Sequence, residues 1–428
     1  MIDWLPSQAT LAIACAFLVL LTAVLVTFIW SIKRHRDPRI HVDCDAPIQD
    51  LVPSLAGLTH GMEAEGNSVD ILEDGDFFEA IMQAIDNAER SVHLEVFLWK
   101  EGKLGEKLVE RLCAKARQGV TVRVVVDANG CKGMGDSACE KLVGAGVKFA
   151  RFHPWKLRNI GVMNERDHRK ILVIDGRIAF VGGHCVVDEW GGSGYGSKPY
   201  HDISVRLCGP AVHQVQSAFS ENWVEVTGEL FAGEDYFPKM QPCGDLNVHV
   251  ARVKPEGSAP AVKILHHMAI ATAKKRLWIQ NPYFLPEPDA IDAMRRAVGR
   301  GVDVRVMVPT KEASDMPLVQ IAAHRNFSRL LAAGVRIFEY PTTLLHQKTM
   351  VVDGAWSAVG STNFDDRAFE INDEITLGIV GEPFAKKMEA IFERDAKVCT
   401  EVDAKEWEKR GWVPRVKEHF FYLWNELL

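Results

Sequence analysis

Two segments of the chain carry the same potentially reactive pattern, His-x-Lys-x-x-x-x-Asp. The first holds His168, Lys170 and Asp175 in DHRKILVIDGRIAFVGG, and the second His346, Lys348 and Asp353 in LHQKTMVVDGAWSAVGSTN. The apolar residues between Lys and Asp read as a strand, and Asp-Gly favours a tight hairpin turn into a second strand. On a strand, positions i and i+2 share a face, so each His emerges beside its Lys. Two imidazoles meeting in one cleft could divide a displacement at phosphorus. The unprotonated one attacks and forms a phosphohistidine, while the protonated one donates to the departing alkoxide and later takes a proton from the acceptor. Two ammonium groups would neutralise the non-bridging oxygens. The scheme calls for no metal and no cofactor. A lone His on a strand is more often a structural, hydrogen-bonded residue, and Asp175 and Asp353 can equally be turn formers. Two matching motifs 178 residues apart, at equivalent places in a repeat, are not an accident of composition.

The elements that must position these residues repeat as well. EAIMQAIDNA (79–88) leads into SVHLEVFLW (91–99), and VKILHHMAIATA (262–273) leads into RLWIQNPYF (276–284). Each pair is followed by an amphipathic helix and a β-branched strand, ending KARQGVTVRVVVD and RAVGRGVDVRVMVP, and then by GAGVKF and AAGVRIF. HDISVRL (201–207) and DEITLGI (373–379) close the halves, each before a helix. This alternation predicts a duplicated α/β fold, with largely parallel sheets in two domains packed face to face. The expected boundaries are an anchor over 1–36, a linker over 37–60, domains over 61–240 and 241–403, and an amphipathic tail over 404–428. The Gly-rich run 191–199 lacks the Lys-Ser/Thr ending of a phosphate-binding loop and reads as a flexible loop.

Of 428 residues, 47% are hydrophobic and 25% charged, the mix of a folded globular chain, and the net charge of −7 does not favour nucleic acid as a partner. Nine cysteines lack C-x-x-C spacing, so reduced thiols are expected rather than a zinc site or a disulfide framework. Thr10 to Trp30 contains no charge and would span roughly 30 Å as a helix, the thickness of a hydrocarbon core. Lys33, Arg34, His35 and Arg36 follow it, which predicts a single-pass transmembrane anchor with everything after it in the cytoplasm. Lys148, Arg151, Lys156, Arg158, Arg166 and Arg169 cluster before and within the first motif and would favour an anionic head group. The aromatic stripe Val413, Val416, Phe420, Trp424 and Leu427 suits either a helix in the membrane interface or a cap on the protein's own core.

The double motif resembles the HKD signature of the phospholipase D superfamily, and the order of segments is similar to its bacterial cardiolipin synthases. FVGGHCVVDEW (180–190), GSTNFDDRAFEINDE (360–374), SDMPLV (314–319) and GVRIFEY (334–340) strengthen the resemblance, which covers about residues 58–400. It implies two phospholipase D-like domains in a pseudo-twofold bilobal unit, a covalent phosphohistidine, and phosphatidyl transfer in the bacterial inner membrane. The usual reaction joins two phosphatidylglycerols to give cardiolipin and glycerol, with phosphatidylethanolamine as donor in some members. By this analogy His168 is the nucleophile and His346 the general acid and base, a twofold site permitting the reverse. Gly182, Gly183, Gly360, Ser361 and Asn363 would contact the substrate. Asp202 and Glu374, at matching places in the two repeats, would each orient the His of the opposite lobe or lie on the surface as ordinary carboxylates. The chain departs from the family in having His184 and Cys185 where an Asn is usual, and in having one apolar span where many members have two. A hydrolase or nuclease of the superfamily and a non-catalytic scaffold are the alternative readings.

Overall fold

A computed structural model describes residues 8–33, 40–156, 162, 164–196, 198–255 and 260–422. The chain divides into two units, 1–41 and 42–428. The first contains the helix Gln8–Lys33, whose stretch Gln8–Val26 has a mean hydropathy of 2.7 and is long and apolar enough to cross a membrane. Arg34, His35 and Arg36 lie outside the described residues.

The second unit contains fifteen strands: β1 (Glu63–Glu73), β2 (Ser91–Val96), β3 (Thr121–Asp127), β4 (Lys148–Phe152), β5 (Ile171–Ile174), β6 (Ile178–Gly182), β7 (Ile203–Cys208), β8 (Leu246–Val253), β9 (Arg276–Gln280), β10 (Asp303–Pro309), β11 (Arg336–Tyr340), β12 (Thr349–Val352), β13 (Trp356–Gly360), β14 (Glu374–Val380) and β15 (Thr400–Glu401). They join in the order β15-β11-β10-β9-β12-β13-β14-β8-β1-β7-β6-β5-β2-β3-β4, so apart from β15 the halves mirror each other across the antiparallel β8–β1 pair. The expectation of largely parallel sheets is corrected. Among the strands of the described residues, β2-β3-β4 and β9-β10-β11, whose crossovers contain helices, pair in parallel and the others pair antiparallel. The motif hairpins β5–β6 and β12–β13 are antiparallel because an Asp-Gly turn is too short for a crossover.

Strand alternation builds three apolar layers. Leu172 and Ile174 of β5 face an outer layer with helices Asp76–Asp86 and Lys103–Arg117, whereas Ile171 and Val173 face a middle layer. In β12, Met350 and Val352 face the other outer layer and Val351 the middle one. The middle layer draws on both halves, including Val212, Val215 and Ala218 from helix Val212–Thr227 and Phe384, Ala385 and Met388 from helix Glu382–Ala396. The lobes therefore share one core as well as one sheet. Burying each Val, Leu or Phe of that layer contributes roughly 1.5–3 kcal/mol, which fixes the lobes against each other.

Part of the expected linker belongs to this body. Ile48 and Leu55, the latter on helix Val52–Leu58, are fully buried against the second lobe's core. Cys208 and Cys243 form a disulfide, correcting the expectation of reduced thiols throughout.

Candidate active site

Both motifs begin at the C-terminal end of a connecting loop and enter a central strand of their lobe. The backbones interlock there: His168 N–H donates to Asp373 O (3.0 Å), and His346 N–H donates to His201 O (2.7 Å). Each motif thus starts by pairing with the segment just before β7 or β14 of the other lobe. That register brings the carboxylates of Asp202 and Glu374 across the pseudo-twofold. His346 Nδ1 lies 2.7 Å from Asp202 Oδ2, and His168 Nδ1 lies 2.7 Å from Glu374 Oε1. Neither carboxylate is a surface residue, since both have no solvent exposure. A carboxylate on Nδ1 fixes the ring and its tautomer and leaves Nε2 as the nitrogen for chemistry.

The two imidazoles occupy a common electrostatic environment. Burial first, then Lys170, Lys348 and His346, hold the His168 imidazole well below the ordinary histidine range. Burial and Lys348 bring His346 down to about 4, against the opposing pull of Asp202. Burial, reinforced by Lys170, brings the Lys348 ammonium down to about 7. The Lys170 Nζ donates to His168 O (2.6 Å), and Lys348 Nζ to His346 O (2.7 Å) while sitting 2.8 Å from both ring nitrogens. Four cationic or potentially cationic groups in one dry site favour an anion there.

The carboxylates differ. Burial would raise Asp202, but His346, His184 and Lys348 outweigh it and hold the acid below its usual range. Its oxygens also accept from Trp190 Nε1 (2.9 Å) and Ile203 N (2.8 Å). Burial pushes Glu374 well up, with Lys170 and a short hydrogen bond from Ser361 Oγ working against it.

The remaining expected site residues fall into separate places. Asp175 and Asp353 are not in the cleft. The strand between motif His and Asp carries each carboxylate roughly 20 Å away at about 3.3 Å per residue. Asp175 accepts from the amides of Glu89, Arg90 and Ser91 (3.0, 2.7 and 2.8 Å), and Asp353 from those of Lys274, Lys275 and Arg276 (2.9, 2.7 and 2.9 Å). With φ of 53° and 55° at the aspartates and 64° and 67° at Gly176 and Gly354, both turns are type I′. The two acids clamp the entries to β2 and β9.

Gly182, Gly183 and Gly360 make space rather than line a pocket. A Cβ on Gly183 would sit 2.4 Å from Asp202 Oδ1, one on Gly182 2.1 Å from Ser204 Oγ, and one on Gly360 2.3 Å from Ile375 O. Asn363 is buried beside the second motif with Oδ1 unpartnered, whereas its counterpart Cys185 packs in the first lobe's core. The basic cluster does not form one surface. Arg169 is fully buried, donating to Ala218 O, Val253 O and Glu374 O; Lys148 pairs with Glu229; and Arg158 lies outside the described residues. Among the described residues, no group of His, Cys, Asp and Glu side chains could hold a metal ion.

Several contributors escaped the sequence reading. Phe97 and Trp190 pack edge-on against His168 and His346 (4.7 and 5.0 Å between ring centres). Tyr283 stands 6.5 Å from His346 with its hydroxyl on Asp315 (2.6 Å). Trp190 ends the FVGGHCVVDEW segment, but no spacing rule ties an indole to a histidine 156 residues away.

The family described as "Cardiolipin synthase, PLD-like domain" matches residues 81–188 and 267–396, one block around each motif. The major cardiolipin synthase of Bacillus subtilis (strain 168) is 33% identical over 384 residues, covering 89% of this chain and 79% of that protein. A cardiolipin synthase of Staphylococcus aureus (strain N315) is 34% identical over 366 residues, covering 85% and 74%. The crystal structure of phosphatidylserine synthase from Haemophilus influenzae Rd KW20 shares the fold, with a TM-score of 0.67 at 14% identity over 89% of this chain and 98% of that one. The chain belongs to the cardiolipin synthase family of phospholipase D-like proteins.

Proposed function

We propose that the chain is a membrane-anchored phosphatidyltransferase that joins two phosphatidylglycerols into cardiolipin and glycerol through a phosphohistidine. The crossed pairing of each motif histidine with a carboxylate of the other lobe carries this reading, because it holds both histidines by Nδ1 in one buried site where Lys170 and Lys348 act on His168. His168, kept unprotonated by burial and by Lys170 and Lys348, attacks the phosphorus of the first lipid. The phosphorus–oxygen bond to the glycerol head group breaks, and His346, brought down to about 4 in the free enzyme but raised when the anionic phosphate binds beside it, gives that oxygen its proton as the imidazolium. Ionised Asp202 is the partner best suited to a transient imidazolium, which favours His346 as acid and His168 as nucleophile. A head-group hydroxyl of the second lipid then attacks the phosphohistidine. His346 takes its proton, and the nitrogen–phosphorus bond breaks. Lys170 and Lys348 neutralise the non-bridging oxygens.

Transfer rather than hydrolysis is supported by the relatives' activity, named as cardiolipin synthesis, and by the apolar helix Gln8–Lys33. With basic residues following that helix, the catalytic unit faces the cytoplasm from the bacterial inner membrane. Purified full chain in mixed micelles with phosphatidylglycerol is expected to yield cardiolipin and free glycerol. Phosphatidic acid as the sole lipid product would make it a hydrolase, and no product from phosphatidylglycerol or phosphatidylethanolamine would contradict both.

A further inference from the structure

The helix Trp412–Tyr422 has two faces of opposite character. One belongs to the protein: Phe421 and Tyr422 pack on the second lobe's core, Glu418 is buried against Arg410 (2.7 Å), and Arg325 lies 3.8 Å over the Tyr422 ring. The other is exposed and apolar, with Trp412 74%, Val413 46%, Val416 57% and Phe420 56% accessible. Trp412, Val416 and Phe420 recur at the i, i+4, i+8 spacing of one helical stripe, with Val413 beside it, which a soluble monomer has no reason to leave bare. Arg415 and Lys417, both exposed, flank it, while the helix's acid Glu418 is turned inward. Trp424 and Leu427 of the expected stripe lie outside the described residues.

We propose that this stripe is a second membrane contact, lying in the head-group boundary of an anionic bilayer and setting the catalytic cleft at the lipid surface. Aromatic and aliphatic side chains beside Arg and Lys are the composition of an interfacial helix, the cations meeting lipid phosphate and the Trp ring the boundary. The placement connects it to the site. The helix is braced on helix Pro317–Ala332 through Arg325, about 12 Å along from Pro317 at ~1.5 Å per residue. Just before Pro317, Asp315 accepts from the hydroxyl of Tyr283, whose ring centre lies 6.5 Å from that of His346. Contact with lipid through the stripe therefore fixes the orientation of an element that ends at the rim of the cleft. This inference rests on the proposed action on membrane lipids.

The test uses the full chain labelled with 5-fluorotryptophan in nanodiscs containing phosphatidylglycerol, the Trp412 resonance being assigned with Trp412→Phe. A doxyl-labelled lipid is expected to broaden that resonance, and a water-soluble gadolinium chelate to spare it. Broadening by the chelate alone would overturn the proposal. So would protection from both agents with a doubled particle mass, which would mean a second copy of the chain covers the stripe. In parallel, Val416→Ser combined with Phe420→Ser should slow turnover of bilayer phosphatidylglycerol ~10-fold and leave turnover of a short-chain, monomeric phosphatidylglycerol unchanged. Equal loss on both substrates would assign the stripe to the fold instead. If neither substrate turns over even with the unaltered chain, the enzymatic reading fails, and the fluorine spectra still decide whether the stripe meets lipid.

Discussion

At the scale of single residues, Lys348 is the group whose titration should be visible. Its ammonium is brought down to about 7 by burial and by Lys170, so it is charged below that pH and neutral above it. A cation needed for transition-state charge is lost as pH rises, so kcat/KM is expected to fall through an alkaline limb near 7 in the free enzyme. Lys348→Arg should lower the rate yet carry the limb out of range, because a guanidinium stays protonated. A limb that is unmoved in this variant would assign the titration elsewhere. Asp175 and Asp353 should behave oppositely. Each accepts three amides. Asp175→Asn or Asp353→Asn should cost roughly 1–3 kcal/mol of stability by denaturant melting, with the folded fraction's kcat changed less than about twofold. A collapse of kcat at full stability would return them to the chemistry. The His-Lys pairs were legible because two copies of one spacing are improbable. The role of the aspartates was not, because Asp-Gly serves a turn and an active site equally well.

At the scale of elements, the critical contact is where the Gly pair after β6 passes the start of β7. Gly183 leaves room for the Asp202 carboxylate, and Gly183→Ala would place a methyl 2.4 Å from Oδ1. The acid and the His346 ring it holds must then shift, so the expected outcome is ~100-fold loss of kcat with a modest fall in melting temperature. The second lobe has Ser361 at the equivalent place, donating to Glu374, so Ser361→Ala should be milder. If Gly183→Ala retained full kcat, Asp202 would not be what positions His346. Strands such as ILVI and TMVV were readable from their apolar runs between Lys and Asp-Gly. β1, GluAlaGluGlyAsnSerValAspIleLeuGlu, has no apolar alternation over its first half. Neither it nor β8 stood out, although their pairing is what makes one sheet of two lobes. Helix Val52–Leu58 was hidden likewise, its burial depending on a partner surface formed 200 residues later.

At the scale of the whole molecule, the lobes depend on each other because each motif histidine takes its carboxylate partner from the opposite lobe. The matching places of Asp202 and Glu374 in the repeat allow either a crossed pairing or a surface position, and the fold distinguishes the two by burying both acids against the opposite histidines. The run of basic residues misled in the same way, since Arg169 is spent inside the protein. The Cys208–Cys243 bridge ties the end of β7 to the segment connecting the lobes.

The claim that everything else depends on is that one phosphorus is handled by histidines from both halves. It is tested most directly by acid-free quenching during turnover of phosphatidylglycerol, followed by peptide mass analysis of the covalent adduct. The account predicts at most one phosphatidyl group per chain, carried on His168, absent in His168→Ala, and both formed slowly and passed slowly to the acceptor in His346→Ala. Two groups per chain, one on each histidine, would mean two independent sites and would contradict it.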